Sequence, residues 1–268
     1  MTHADVIGDP IAHSKSPLIH RFWLEALAID AQYNAQRISL DQLSAYITDR
    51  IADPAWRGCN VTIPHKVAIL DLIPDPGDVR GSIGAANTVF RGADGALIAT
   101  NTDAAGFVAP IVDLDLAGKP VVVIGAGGAA RAILFALARG RVGPVTILNR
   151  HPLRGAALLA AFGLTGDVMA LGSVLPPAAL IVNASPLGMV GQPPLDIDLA
   201  GQPDDAVVYD IVYAPLETPF LAQARARGLA TVDGLEMLIG QAALAFELFF
   251  GATPPRDRDD ALRAVLAA

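Results

Sequence analysis

A short polar segment carries side chains that could act on a carbonyl or a hydroxyl group. It reads Asn-Val-Thr-Ile-Pro-His-Lys from Asn60, and its start alternates polar and apolar residues as a strand does. We therefore expect Asn60 and Thr62 to share one face of a strand. Val61 and Ile63 should then point into a core. Lys66 follows the proline turn, is expected to open the next helix and could polarise a carbonyl or give it a proton.

Other polar residues stand at predicted loops and helix starts. Ser14 and Ser16 come just before a helix predicted from Pro17, where hydroxyls and free N–H groups can hold a carboxylate. Ser16 could instead simply cap that helix. Asn87 stands at the start of a predicted strand, and Asp103 ends a short polar loop just before a change in chain character, where substrates commonly bind.

A glycine-rich turn follows a continuous apolar strand. The strand Pro120-Val-Val-Val-Ile124 leads into Gly125-Ala-Gly-Gly-Ala-Ala130, and a helix is predicted to continue to Arg139. Gly125 can take the tight turn, Gly127 lets the backbone approach a pyrophosphate, and the free helix N–H groups attract its charge. The segment therefore predicts a dinucleotide site.

The end of the next strand indicates which dinucleotide binds. Sites for NAD usually place a carboxylate there, which bonds the ribose 2′-hydroxyl. This chain has Asn149 and Arg150 instead, and a guanidinium can bond a 2′-phosphate. NADP is therefore favoured, with Arg154 one helical turn further as a second positive contact. Either arginine could instead be a solvated residue at a helix start.

Composition limits the class of protein. The 268 residues carry a formal net charge of −8, which disfavours nucleic acid and anionic membranes as partners. The sole cysteine, Cys59, excludes an internal disulfide and a cysteine-built metal site, and its position in the strand indicates a buried side chain. We predict no metal site. We see neither a leader sequence nor an apolar run that could span a bilayer, so a cytoplasmic protein is expected.

The pattern of strands and helices predicts an α/β fold. In the first part of the chain, short strands are expected at residues 6–7, 33–38, 59–63, 87–90 and 96–99, the last two joined by a hairpin turn. Strands alternating with helices follow, at residues 120–124, 145–148, 179–182 and 206–211, and predict a doubly wound sheet. Two helices, at residues 235–250 and 257–266, close the chain.

These patterns divide the chain into two domains. We predict that residues 1–101 form an N-terminal α/β substrate domain and that residues 102–236 form a doubly wound, Rossmann-type NADP-binding domain. Residues 237–268 should return to the first domain and complete it.

Motifs in order over nearly the whole chain resemble those of the shikimate dehydrogenase family. They are Gly8-Asp-Pro-Ile-Ala-His-Ser-Lys-Ser-Pro17, Asn60-Val-Thr-Ile-Pro-His-Lys66, Ile83-Gly-Ala-Ala-Asn-Thr88, Asn101-Thr-Asp103, Gly125-Ala-Gly-Gly-Ala-Ala-Arg131, Asn149-Arg150, Asn183-Ala-Ser-Pro-Leu-Gly-Met189 and Asp233-Gly-Leu-Glu-Met-Leu238 with Gln241. Several motifs at matching spacing are far more specific than one glycine turn. The chain is therefore identified as a member of this family.

The resemblance implies an activity and a set of site residues. The activity is the NADPH-dependent, reversible reduction of 3-dehydroshikimate to shikimate on the route to chorismate and aromatic amino acids, by a monomer or homodimer. Lys66 and Asp103 would be the catalytic pair. Ser14, Ser16 and Tyr213 would hold the substrate carboxylate. The ring hydroxyls would be bonded by Asn60, Thr62, Asn87, Asp103 and Gln241. The cofactor would be held by Gly125, Ala126, Gly127, Gly128, Ala129, Asn149, Arg150, Arg154, Ile211 and Gly234, with Asp78 as a further candidate.

The chemistry of a ketone reduction suits these roles. The reaction needs a hydride on carbon and a proton on oxygen, so Lys66 either donates that proton or only stabilises charge. A carboxylate nearby, here Asp103, would orient the ammonium and favour its charged state. Gln241 is a lone amide on an apolar helix face, so it needs a partner, which could be a ligand hydroxyl or a backbone group.

Some residues depart from the family pattern, and other functions stay open. His151 stands where a threonine or serine is usual, Ala104 replaces a glycine, and the segment around residues 74–77 looks shortened. His151 either weakens the phosphate pocket or adds a donor when protonated. One alternative is a quinate/shikimate dehydrogenase that uses NAD. Another, disfavoured by Lys66 and Asp103 together, is a non-catalytic ligand sensor on the same scaffold.

Overall fold

Two β-sheets form the framework of the protein, which we describe from a computed structural model covering residues 1–267. The chain divides into two units. The first contains residues 1–102 together with the segment from Ile239 onward, and the second contains residues 103–238. Each unit holds one sheet with helices, so the predicted α/β class is confirmed.

The sheet of the first unit has five strands in the order β2-β1-β3-β4-β5. The strands are β1 (Thr2–Gly8), β2 (Ala31–Arg37), β3 (Trp56–Val61), β4 (Thr88–Arg91) and β5 (Leu97–Thr100). The first three are parallel, and β4 and β5 are antiparallel to their neighbours. The helices here are α1 (Ser16–Ala26), α2 (Leu43–Ile51) and the short α3 (Val79–Ser82), with 3-10 segments at Leu40–Gln42 and Ala68–Asp71.

Two expectations for the polar segment after β3 are wrong. The strand ends at Val61, so the alternation of faces does not extend to Ile63, which is 60% exposed rather than in the core. Lys66 does not open a helix. It lies in a turn that leads to the 3-10 segment from Ala68. Cys59 and Val61, within the strand, are buried as predicted.

The sheet of the second unit has six parallel strands in the order β11-β10-β9-β6-β7-β8. They are β6 (Val121–Ile124), β7 (Val145–Asn149), β8 (Val168–Ala170), β9 (Leu180–Asn183), β10 (Val207–Asp210) and β11 (Ala230–Val232). The helices are α4 (Asp103–Val108), α5 (Gly128–Arg139), α6 (Pro152–Ala161) and α7 (Pro219–Ala226), with a 3-10 segment at Ala109–Ile111. Counted from β6, the order is that of the Rossmann fold, as predicted.

The edge strands β8 and β11 were not predicted from the sequence. Each has three residues, and neither contains a fully buried position. The four predicted strands, by contrast, are buried along most or all of their length, which is why they read as apolar runs.

Two helices close the chain as predicted, α8 (Gly234–Phe250) and α9 (Asp259–Ala267), separated by a 3-10 segment at Arg256–Arg258. No helix within residues 1–267 is long and apolar enough to cross a membrane.

An aromatic cluster fills the core of the first unit beside β2. The ring of His20 lies parallel to the ring of Tyr33, with 3.9 Å between centroids and 1° between planes. Trp23, Phe246 and Phe249 surround this pair. Burial lowers the pKa of His20 to about 3, and Asn60 opposes the shift only in part. The imidazole is therefore a neutral stacking partner at physiological pH.

His20 should make the protein sensitive to acid. Its pKa falls from 6.5 in the unfolded chain to about 3 in the fold, so protonation favours unfolding and stability is lost as pH drops below 6.5. At pH 5 the loss is about 2 kcal/mol relative to neutral pH, since each pKa unit is worth 1.36 kcal/mol. His20→Phe should therefore reduce the fall in unfolding free energy between pH 7 and 5, measured by denaturant titration.

The exposed His13 offers a matched control for this prediction. Because its side chain meets water in the folded protein as in the unfolded chain, His13→Gln should keep the wild-type pH dependence. An unchanged pH dependence of the unfolding free energy in His20→Phe would show that His20 is not the source of the acid sensitivity.

Candidate active site

The glycine turn after β6 has the geometry of a dinucleotide loop. Gly125 has a φ of +115°, and a Cβ there would lie 2.8 Å from the carbonyl oxygen of Ala184. A side chain is therefore excluded by both conformation and space. The turn lies between β6 and β9, where the strand order of the sheet reverses, and α5 begins at Gly128. Ligands of doubly wound sheets bind at this point.

Gly127 differs from Gly125 in a way that bears on a ligand. Its φ of −94° suits any residue, and a Cβ on it would meet no atom within 4 Å. The fold itself therefore does not need glycine at this position. A pyrophosphate that approaches the backbone at the start of α5 would need it, so the residues present fit a dinucleotide.

We expect Gly127→Ala to weaken dinucleotide binding without unfolding the protein. The new methyl group enters space that is open in the protein but that a pyrophosphate would need. The free energy of unfolding should fall by less than about 1 kcal/mol, the usual size of a change at a helix N-cap. Calorimetric titration with NADP should show at least about a tenfold weaker Kd, since one lost charge-assisted hydrogen bond has that effect.

Gly125→Ala is the contrasting variant, because it should lower stability through strain at the positive φ and contact with Ala184. Wild-type affinity for NADP in Gly127→Ala would show that no phosphate group binds against the backbone of this glycine.

The end of β7 presents an amide and two arginines. The side-chain nitrogen of Asn149 donates to the carbonyl oxygen of His151 at 2.9 Å, which holds the turn into α6. Arg150 and Arg154 are exposed, and His151 is exposed as well. Arg150 and Arg154 lie at the carboxyl end of the strand and in the first turn of α6, the place where the adenine ribose of a dinucleotide is read.

A buried network at the ends of β9 and β10 was missed by the sequence analysis. The carboxylate of Asp210 accepts hydrogen bonds from Asn183 Nδ2 at 2.9 Å, Thr218 Oγ1 at 2.7 Å and the backbone N–H of Val212 at 3.0 Å. Burial raises the pKa of the Asp210 carboxyl, and these three bonds oppose the rise. The signal was a polar residue at the end of each apolar strand.

This network positions the loop that carries Ile211 and Tyr213. A Cβ on Gly234 would lie 2.5 Å from the carbonyl oxygens of Ile211 and Val212, so only glycine lets α8 begin against this loop. Ile211 and Gly234, both predicted to bind the cofactor, are thus brought together. Burial raises the pKa of the Tyr213 hydroxyl.

A second polar network lies in the first unit, where five side chains meet. Asn60 Nδ2 donates to Thr88 Oγ1 at 3.1 Å, and Thr88 Oγ1 donates to Asn87 Oδ1 at 3.0 Å. Asn87 Nδ2 donates to Thr102 Oγ1 at 2.9 Å and to Gln241 Oε1 at 3.3 Å. All five residues are buried. We call this set the amide network.

The amide network answers the question raised by Gln241. Its partners include the side chains of Asn87 and Thr102, rather than only a ligand or a backbone group. Thr88 and Thr102 were not predicted as site residues. Both belong to motifs quoted in the sequence, but a threonine in a strand or loop has no distinctive spacing.

Ser14 and Ser16 follow β1 at the same sheet edge as the polar segment after β3, because these strands are parallel. Helix α1 begins at Ser16, and the structure shows no side-chain cap, so the capping role considered for Ser16 is wrong. Instead the backbone N–H of Ser16 donates to Ser14 Oγ at 3.3 Å. Lys15 between them donates from its ammonium to the carbonyl oxygen of Leu266 in α9.

The turn that carries Lys66 is held on two sides. Its carbonyl oxygen accepts a hydrogen bond from Ala86 N at 2.7 Å, and the buried ring of His65 bonds the carbonyl oxygen of Ile38 at 2.7 Å. Thr62 accepts from the backbone N–H of His65 at 2.9 Å through its own carbonyl oxygen. The side chain of Lys66 is half-buried on this well-anchored turn.

The remaining two predicted residues lie at helix starts. Asp103 is the buried first residue of α4, in the second unit. Asp78 is exposed, has a φ of +54° and accepts a hydrogen bond from Gly81 N at 3.2 Å, so it caps α3. This capping explains Asp78 without a cofactor.

One unit has a Rossmann sheet with a glycine loop that fits a dinucleotide, and the other is an α/β unit with several buried amides. These features define a two-unit dinucleotide-binding protein of the dehydrogenase class. The family model described as shikimate dehydrogenase substrate binding domain matches residues 6–89, and that of the shikimate 5′-dehydrogenase C-terminal domain matches residues 234–262. The NADP-dependent shikimate dehydrogenase of Sphingopyxis alaskensis is 66% identical over 99% of this chain and 97% of its own. The chain belongs to the shikimate dehydrogenase family, as predicted.

Similar solved structures carry two different activities in their names. The shikimate dehydrogenase of Thermus thermophilus, in complex with NADP(H) and shikimate, is 36% identical, with a TM-score of 0.85 over 98% of this chain and 99% of its own. The 5-ketofructose reductase of Gluconobacter sp. strain CHM43 is also similar, at 31% identity and a TM-score of 0.86 over 99% of this chain and 97% of its own.

Proposed function

We propose that this protein is an NADP-dependent shikimate dehydrogenase, which reduces 3-dehydroshikimate to shikimate reversibly on the route to chorismate and the aromatic amino acids. The observation that carries the proposal is the 66% identity, over 99% of the chain, to a relative with that activity in its name. The glycine loop, the arginines after β7 and the amide network are consistent with it.

The residues of the second unit would hold the cofactor. The backbone around residues 125–129 would bind the pyrophosphate, because Gly125 makes the tight turn and Gly127 leaves open space beside it. Arg150 and Arg154 would bind the 2′-phosphate, with Asn149 shaping the turn. Ile211 and Gly234, which lie together, would also contact the cofactor. Asp78 is not part of this proposal, because it caps α3.

A set of hydroxyl, amide and carboxylate side chains would hold the substrate. Ser14 and Ser16, joined by Tyr213, would bind its carboxylate with hydroxyl groups. The hydroxyls of the ring would be read by Asn60, Thr62, Asn87, Asp103 and Gln241. Buried amides suit a hydroxylated ring, since an analogue lacking a hydroxyl would leave one of them unpaired.

Lys66 and Asp103 would carry the proton chemistry. When bound, NADPH supplies the hydride that reduces the carbonyl carbon. The Lys66 ammonium donates one proton to the carbonyl oxygen, which becomes a hydroxyl, and the resulting amine regains a proton from water. The Asp103 carboxylate orients the ammonium and favours its charged form between turnovers. In the reverse direction the neutral amine accepts the hydroxyl proton.

Residues 1–101 with 237–268 would be the substrate domain, and residues 102–236 the NADP domain. We further propose a cytoplasmic monomer or homodimer without a nucleic-acid partner, in line with the net charge of −8.

An assay of the purified protein tests the function. Shikimate with NADP should produce reduced-nicotinamide absorbance, and kcat/KM should fall when NAD replaces NADP or quinate replaces shikimate. Reduction of 5-ketofructose by NADPH belongs in the same assay, because a similar structure has that activity in its name. A preference for quinate and NAD, or for 5-ketofructose, would replace the proposed substrate. No turnover with any of them would support the sensor alternative.

A further inference from the structure

The amide network extends to a tyrosine outside the family motifs quoted above. Tyr33 Oη donates a hydrogen bond to Asn60 Oδ1 at 2.6 Å, the shortest side-chain contact of that amide. The same Asn60 donates through Nδ2 to Thr88 Oγ1 at 3.1 Å and to the carbonyl oxygen of Asn87 at 3.4 Å. Tyr33 and Asn60 are buried, at 0% and 5% exposure.

One path through these hydrogen bonds runs in a single direction, while a second bond, from Thr102 Oγ1 to Asn87 Oδ1 at 3.3 Å, runs back against it. Donors and acceptors succeed one another from Tyr33 through Asn60, Thr88, Asn87 and Thr102 to Gln241. Two backbone groups set this direction, because each can act in only one sense. The N–H of Thr102 donates to Asn87 Oδ1 at 2.7 Å, and the carbonyl oxygen of Asn87 accepts from Asn60 Nδ2.

This direction requires a hydrogen-bond donor for Asn60 Oδ1, at the start of the path. With its nitrogen turned toward Asn87 and Thr88, Asn60 presents its oxygen to the aromatic cluster, where only a donor can satisfy it. Tyr33 is that donor. Burial keeps the pKa of its hydroxyl well above 10, so the proton is present at any physiological pH. The parallel stack with His20, 3.9 Å away, fixes where the ring points.

We propose that Tyr33 is a positioning residue of the substrate site, whose hydroxyl holds Asn60 Oδ1 and so keeps the Asn60 amide in the orientation that binds a substrate hydroxyl. This rests on the proposed function. Tyr33 acts through Asn60 and contributes to specificity rather than to the chemical step.

Tyr33→Phe tests the proposal, because it removes the hydroxyl and keeps the ring in the stack. We expect KM and the calorimetric Kd for shikimate to rise about tenfold, the effect of leaving a buried acceptor unpaired, while kcat stays within about twofold. The KM for NADP should not change. A shikimate analogue that lacks the hydroxyl bound by Asn60 should lose much less affinity between wild type and Tyr33→Phe, because the displaced amide has no hydroxyl to bind in that analogue.

Tyr46→Phe is the matched control for a purely structural effect. Tyr46 is also buried in the first unit, and its hydroxyl donates to Asp5 Oδ2 at 2.8 Å, outside the amide network. This variant should lose at least as much thermal stability as Tyr33→Phe but keep the wild-type KM. An equal rise in KM in both variants, or none in Tyr33→Phe, would overturn the proposal.

A readout without substrate separates this proposal from the proposed function. The side-chain amide signals of Asn60, assigned by their loss in Asn60→Ala, should shift in the NMR spectrum of Tyr33→Phe and stay in place in Tyr46→Phe. If wild-type protein fails to bind shikimate, the function is wrong. If Asn60 does not respond in Tyr33→Phe, the positioning role is wrong whatever the substrate.

Discussion

Lys66→Ala is expected to lower kcat for shikimate oxidation by at least about 10²-fold, the usual contribution of a general acid–base group. The variant should still bind shikimate, because the hydroxyl and amide side chains proposed to hold it are unchanged. Stability should change little, since the backbone of Lys66 and the ring of His65 hold the turn. Single-turnover kinetics measure the loss of the chemical step, and calorimetric titration with shikimate measures binding separately.

Two further lysine variants sharpen this prediction. Lys119→Ala removes an exposed lysine of the second unit and should leave kcat unchanged. Lys66→Arg keeps the positive charge but gives up no proton at any relevant pH. If Lys66 is the proton donor, Lys66→Arg should be as impaired as Lys66→Ala. Substantial activity in Lys66→Arg would mean that Lys66 only stabilises charge, and full activity in Lys66→Ala would remove it from the catalytic pair.

Arg150→Ala should raise the KM for NADP about 10- to 100-fold, because one or two charge-assisted hydrogen bonds to the 2′-phosphate are lost. The KM for NAD should stay the same, since NAD has no such phosphate. The side chain is exposed at the end of β7, so the fold should tolerate the change. Initial rates at saturating shikimate, measured over a range of NADP and of NAD concentrations, give the KM for each cofactor.

Arg139→Ala serves as the control, because Arg139 is an exposed arginine in the last turn of α5, at the opposite end of the helix from the glycine loop. It should leave both KM values unchanged. Arg154→Ala should give a smaller change than Arg150→Ala, in the same direction. An equal loss with NADP and NAD in Arg150→Ala would mean that Arg150 supports the loop and does not read the phosphate.

The Rossmann sheet was predictable because its signals are local. The central strands β6, β7, β9 and β10 are buried, so each appears as an apolar run. Gly125 follows the first of them at a position where a side chain would collide with the chain. The edge strands β8 and β11 were missed, because a short and partly exposed strand needs few apolar residues. Pairing with a neighbouring strand defines them, and periodicity does not report pairing.

The site residues were predictable by type but not by arrangement. The residue types of the polar motifs are visible in the sequence, and they were enough to predict a dehydrogenase. Ile63 and Ser16 were misjudged, because where β3 ends and how α1 begins depend on the neighbouring chain rather than on alternation or capping preference.

The family, the dinucleotide loop and the identity of the polar residues could all be recognised from the sequence, since each depends on residues close together along the chain. Which of those residues hydrogen-bond to one another depends on the folded structure. Tyr33 and Asn60 are 27 positions apart, and Asn87 and Gln241 are 154 apart. A buried amide must find its hydrogen-bond partners wherever the fold brings them, and no local pattern encodes that choice.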